Sequence, residues 1–174
     1  MRAHERIIVA ATPVLGGAWV ASRRRQYRRI GRALSRDERG SLGGFFTAAL
    51  LDRVRVAVVD RIAPPWPARV LPLRRLGSLV DLSTVRGMAF GDAVACAVNP
   101  PTASLLFHEV VHVVQYEEYG IGPMLHRYVS DYFKNGRDYF AINAERCAYE
   151  LQARFDASPQ ERFDVRNEVR RLMG

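Results

Sequence analysis

The chain has little cysteine, almost no lysine and no long uninterrupted apolar run. Cys96 and Cys147 are the only cysteines among its 174 residues. Two thiols in a chain this long fit free cysteines in a reducing compartment and exclude a disulfide-stapled scaffold. Neither stands at zinc-ligand spacing from the other. Ile7 to Ala21 is apolar, but Pro13 and Gly16-Gly17 interrupt it, and a transmembrane helix needs about 20 apolar residues. As a leader this stretch lacks a small-x-small cleavage site, and the arginines behind it oppose translocation. The expectation is a buried or membrane-surface helix in a cytoplasmic protein with no transmembrane span. Internal repeats and low-complexity tracts are absent as well, and the length suits one domain with a proper core.

Charge is present but uneven. Ten arginines against Glu5, Asp37 and Glu38 place +7 of the net +8 in residues 1–39, and residues 40–174 carry sixteen basic and fifteen acidic side chains. Lys134 is the single lysine among 26 basic residues, a bias that reads as GC-rich coding more than phosphate recognition. The run Ser22-Arg-Arg-Arg-Gln-Tyr-Arg-Arg-Ile-Gly-Arg reads first as a solvated basic helix. Residues 22–39 also offer an anionic surface a contact. No interleaved aromatics or nucleic-acid motif strengthen that reading. The expected organisation is a basic arm or helix at 1–39 and a catalytic domain at 40–174.

Residues 105–116 read Leu-Leu-Phe-His-Glu-Val-Val-His-Val-Val-Gln-Tyr. On a helix His108 and His112 share one face, and two imidazoles so placed can hold a zinc ion. Glu109 adjoins them as the general base of a metal-activated water. Apolar neighbours throughout the run predict a buried helix. Burying three ionisable groups among valines without a cation would cost several kcal/mol. Thr102 is the expected N-cap of a helix from about Ala103, and Gly120 with Gly122 and Pro123 the stop.

A catalytic zinc usually takes three protein ligands and keeps one open position. Gln115 and Glu118 stand where the metzincin extension needs Gly and His, so that class is excluded. The later segment Tyr139 to Arg154 reads as a helix, with Ile142, Cys147, Ala148, Leu151 and Phe155 on its apolar stripe. Glu145 lies within the stripe and is the expected third ligand; His126, Asp131 and Glu150 follow in that order. Tyr149, His126 and Tyr128 are candidates for stabilising an oxyanion.

These residues also carry a resemblance. The run Leu-Leu-Phe-His-Glu-Val-Val-His-Val-Val-Gln-Tyr resembles the core of a bacterial zincin-like family found in proteins linked to contractile injection systems. Leu51-Asp-Arg-Val-Arg-Val resembles its early strand, Gly87-Met-Ala-Phe-Gly-Asp-Ala-Val its Gly-x-x-x-Gly strand, and Asn143-Ala-Glu-Arg-Cys-Ala-Tyr its later Glu-x-x-Ala segment. The likeness spans roughly residues 50–156. It implies a zincin-like, gluzincin-type metallopeptidase domain. Cys147 departs from it, because the family commonly has an acidic residue two positions after the ligand Glu.

Along the chain, Ser35-Arg-Asp-Glu38 is a capping box opening a helix through about Leu51. Val54 to Val59 reads as a strand and Pro64-Pro-Trp-Pro as an extended loop, and Leu71 to Val85 is ambiguous. Ala89 to Val98 reads as an edge strand before the motif helix, able to bind an extended peptide by strand addition. Helices then follow near Met124 to Phe133, around Glu145, and from Ser158-Pro-Gln-Glu161 through Leu172. The expected fold is α+β, zincin-like and mostly helical with a small sheet preceding the motif helix. The expected activity is zinc-dependent hydrolysis of a peptide or protein substrate. The alternatives are a weak or inactive zincin-like interaction module of a secretion or toxin assembly, and a nucleic-acid or membrane binder acting through the basic arm.

Overall fold

In the computed structural model, which describes residues 1–62 and 85–174, the chain is mostly helical with one small sheet. Helix α1 (Ala3–Ile30) continues through Pro13 and Gly16-Gly17 as a single element. Its small residues let a neighbouring helix come close: a Cβ on Gly16 would lie 3.2 Å from the Leu125 side chain. The capping box forms as expected, with the Ser35 hydroxyl accepting from the Glu38 N–H. It opens only a short helix, α2 (Arg36–Leu42), and a separate α3 (Ala48–Arg53) follows. The single helix expected through Leu51 is broken because Gly44 sits at φ 83°, a left-handed conformation that glycine alone adopts freely.

Strand β1 (Arg55–Val58) falls inside the expected Val54–Val59. The single strand expected over Ala89–Val98 is instead a hairpin, β2 (Gly87–Phe90) and β3 (Ala93–Cys96), joined through Gly91-Asp92. The order is β1-β3-β2, with β3 parallel to β1 and antiparallel to β2. β3 is therefore central, with β1 and β2 on either side, so the second half of the expected edge strand lies in the middle of the sheet. Pro64 to Pro67 and Leu71 to Thr84 lie outside those residues.

Alternation along the strands sorts the core into two layers. Ala57, Phe90, Ala93 and Ala95 pack with Val20 and Tyr27 of α1. Val56, Ala89, Val94 and Cys96 face the opposite way, toward the helix of the His-Glu motif. That helix, α4 (Ala103–Tyr119), has Thr102 as N-cap and Gly120 as C-cap, as its sequence predicts. It buries Leu106 through Val111 and Val113 through Gln115, on all sides, as a central helix must.

Helix α5 (Ile121–Lys134) packs on α1, and a 3₁₀ turn (Tyr139–Ala141) leads into α6 (Asn143–Ala157), the expected Glu145 helix. Phe107 of α4 stacks on Phe155 of α6 with centroids 4.4 Å apart, and Phe45 and Phe163 meet the pair edge-on. This aromatic cluster fixes α4 against α6. The last helix, α7 (Val165–Met173), starts later than Ser158-Pro-Gln-Glu161 suggests, because Asp164 is the residue that accepts from the first-turn N–H groups of Arg166 and Asn167.

The basic stretch lies on the body. Arg24 and Arg28 both reach Asp92 in the hairpin turn, Arg32 pairs with Glu38 and Arg39 with Asp52. Among the described residues no helix is long and apolar enough to cross a membrane. Both cysteines are free and buried.

Candidate metal centre

Four residues apart on α4, His108 and His112 project together, with their Nε2 atoms 3.1 Å from one another. From α6, Glu145 brings Oε2 to 3.5 Å from each of those nitrogens. The three side chains are nearly withdrawn from solvent, His108 and Glu145 at 6% and 3% exposure. Together they form a buried cluster that can hold a metal ion.

The hydrogen bonds behind the imidazoles settle which nitrogens point inward. Gln115 Nε2 donates to the Ala144 carbonyl, which can only accept, so Gln115 Oε1 faces His112 Nδ1 at 2.8 Å. Ser104 donates to the Asp156 carboxylate and accepts from Gln152 Nε2, so Gln152 Oε1 faces His108 Nδ1 at 2.9 Å. Both Nδ1 atoms must then carry protons, and in neutral imidazoles both Nε2 atoms present lone pairs. Two lone pairs converge on a carboxylate oxygen, Glu145 Oε2, that is buried without a hydrogen-bond partner. Such a cluster repels itself unless something positive sits among the three atoms.

Electrostatics agree. Burial alone would lower the His112 pKa, but the Glu145 and Glu109 carboxylates push it up to about 9. Burial raises the Glu145 pKa, yet the two imidazoles and Tyr128 outweigh it and hold the carboxyl well below its usual range. A metal ion at these nitrogens would compete with a proton for the same lone pairs.

Glu145 Oε1 accepts from the Tyr128 hydroxyl at 2.7 Å. Burial and the nearby Glu145 carboxylate raise the pKa values of Tyr139 and Tyr149. The ring of Tyr149 lies 4.6 Å from that of His108, and the residue is 40% exposed.

Glu109 is 3% exposed, and its Oε2 has no hydrogen-bond partner. The Ala89 backbone N–H of β2 lies near enough to this carboxylate to favour its charged form. Burial pushes the Glu109 pKa up against the pull of the two histidines. The approach of β2 is possible because residue 87 is glycine: a Cβ there would lie 2.5 Å from Glu109 Oε1 and 2.9 Å from Leu105. A free carboxylate oxygen beside an imidazole pair is positioned to move a proton.

Of the residues expected from sequence, His108, His112, Glu145, Glu109, Tyr128 and Tyr149 come together here. His126 does not; it is exposed on α5, two positions before Tyr128 and so on a different face. Asp131 accepts the Asn143 N–H at the start of α6. Glu150 is exposed, 3.8 Å from Arg171. Sequence reasoning missed Gln152 and Tyr139, and used Gln115 only to exclude the metzincin pattern. A polar residue three positions after His112 amid valines was the available signal for Gln115. No model of a known protein family, no curated protein and no solved structure matches the chain.

Proposed function

We propose that the chain is a zinc-dependent hydrolase of gluzincin type that cuts peptide bonds, with zinc held by His108, His112 and Glu145. The observation that carries this reading is the convergence of two Nε2 lone pairs on the partnerless Glu145 Oε2. A tetrahedral zinc site with bonds of about 2.0–2.1 Å has edges of about 3.3–3.4 Å, and the three ligand atoms stand 3.1, 3.5 and 3.5 Å apart. Two imidazoles and one carboxylate are also the donor set of catalytic zinc in peptidases.

Zinc bound there supplies a Lewis acid for the scissile carbonyl and makes water acidic enough to react near neutral pH. Glu109 does the proton work. Its unpartnered Oε2 takes one proton from the attacking water, whose oxygen bonds the carbonyl carbon. The same carboxyl then delivers that proton to the nitrogen as the C–N bond breaks, leaving an acid and an amine. Tyr149, partly exposed against His108, donates to the oxyanion. Tyr128 holds Glu145 in place by its other oxygen.

Elemental analysis of the wild type and of Glu145→Ala tests the site, and a peptide-library digest of Glu109→Gln tests the roles. Near-stoichiometric zinc should be lost in Glu145→Ala. Glu109→Gln should keep its zinc while hydrolysis falls by at least about a hundredfold. Zinc undiminished in Glu145→Ala, or activity retained in Glu109→Gln, would overturn the assignment.

A further inference from the structure

Among the described residues, two aromatic side chains are left exposed, Phe140 at 66% and Tyr149 at 40%. They are neighbours, with ring centroids 5.7 Å apart, and Tyr149 adjoins the ligand His108 at 4.6 Å. An aromatic surface of tilted rings therefore starts beside the metal-binding triad and runs outward to solvent.

This surface is held in shape. The Phe140 N–H donates to Asp138 Oδ1 at 2.9 Å, and Asn135 Nδ2 donates to the Ala141 carbonyl at 2.8 Å. Tyr139 meets Phe140 edge-on at 5.3 Å. Phe140 itself supports nothing: its ring contacts are with Tyr139 and Tyr149, and most of it faces water. Leaving a phenyl group in water forgoes the gain of burying it, and a ring fixed before binding loses little entropy when a ligand covers it.

We propose that Phe140 and Tyr149 form the subsite that receives an aromatic or large apolar side chain next to the bond being cut. This deepens, and rests on, the reading of the triad as a hydrolytic zinc site. Because the surface begins at a ligand imidazole, the residue adjoining the scissile carbonyl reaches it before any more distant residue does. The substrate class is thus peptides with phenylalanine, tyrosine, tryptophan or leucine at that position. Aromatic rings prefer edge-on or offset contact with such a surface.

The test is binding of amino-acid hydroxamates, which chelate zinc, to the zinc-loaded full chain, compared with Phe140→Ser and Phe140→Trp. Phe140→Ser keeps the N–H bond to Asp138 and changes only an exposed side chain. The wild type should bind phenylalanine hydroxamate about tenfold more tightly than glycine hydroxamate. In Phe140→Ser the ratio should fall below about threefold, and in Phe140→Trp it should return. Equal binding of the two hydroxamates by the wild type, or a ratio unchanged in Phe140→Ser, overturns the subsite and leaves the zinc site standing. Failure of zinc to promote binding of either hydroxamate overturns both.

Discussion

Gln152 stands at one remove from the candidate metal site. Its amide is pinned between Ser104 and His108, and Ser104 is in turn fixed by Asp156. Replacing Gln152 with Leu leaves the His108 Nδ1 proton without its acceptor and frees the ring to turn. Metal affinity, read by competition with a chromogenic chelator, should weaken by about 10–100-fold. An unchanged dissociation constant would mean that Gln152 merely packs. The triad itself was legible because its chemistry is local: a four-residue spacing on one helix and a carboxylate on an apolar stripe. The Gln152 contact was not, because it joins positions 44 residues apart in the chain and no periodicity reports which two helix faces meet.

Strand β2 brings the backbone of Gly87 against Glu109, the proposed general base, so the element and the residue depend on each other. In Gly87→Ala the new methyl would meet Glu109 Oε1 at 2.5 Å and push the carboxylate out of line. Hydrolysis should drop by at least about tenfold with zinc content unchanged by elemental analysis; full activity would show that the strand yields instead. The hairpin is also tied to α1, through Asp92 and its two arginines. Burial raises the Asp92 pKa, but hydrogen bonds from Arg24 and Arg28 outweigh it and the net shift is downward. A carboxylate with a lowered folded pKa stabilises the fold above its unfolded value near 4 and loses that contribution as pH falls through the folded value. The wild type should therefore melt above Asp92→Asn at neutral pH, and the gap should close below about pH 4. A gap independent of pH would point to packing rather than charge. Helix α4 was readable to the residue because Thr102 and Gly120 mark both ends. The hairpin was not, because Ala89 to Val98 is apolar on both sides of a two-residue turn, and a β3 strand buried on both faces shows no alternation.

At the scale of the molecule, a mostly helical α+β fold was legible from the order of helical and extended patterns, while the three-layer arrangement was not. The sandwiching of β3 between α1 and α4 depends on Tyr27 and Phe90 finding one another across 63 residues of chain. Such long-range pairing is set by the whole core, not by any one segment. Stability should follow metal occupancy as well as core packing. A chelator should lower the thermal midpoint of the wild type and leave that of Glu145→Ala unmoved; equal midpoints for treated and untreated wild type would separate the metal from the fold.

The placement of the ligands on two helices has a further consequence. His112 and Glu145 are 33 residues apart in sequence, so an ion bridging them closes a loop of that length. A link that persists in the unfolded chain over a loop of that length removes conformational freedom worth about 3–4 kcal/mol in a loop-entropy treatment. That is the service a disulfide renders in secreted domains, and here Cys96 and Cys147 are both buried as free thiols. An ion held by His112 and Glu145 would instead be a reversible link, opened by chelation and indifferent to reductants.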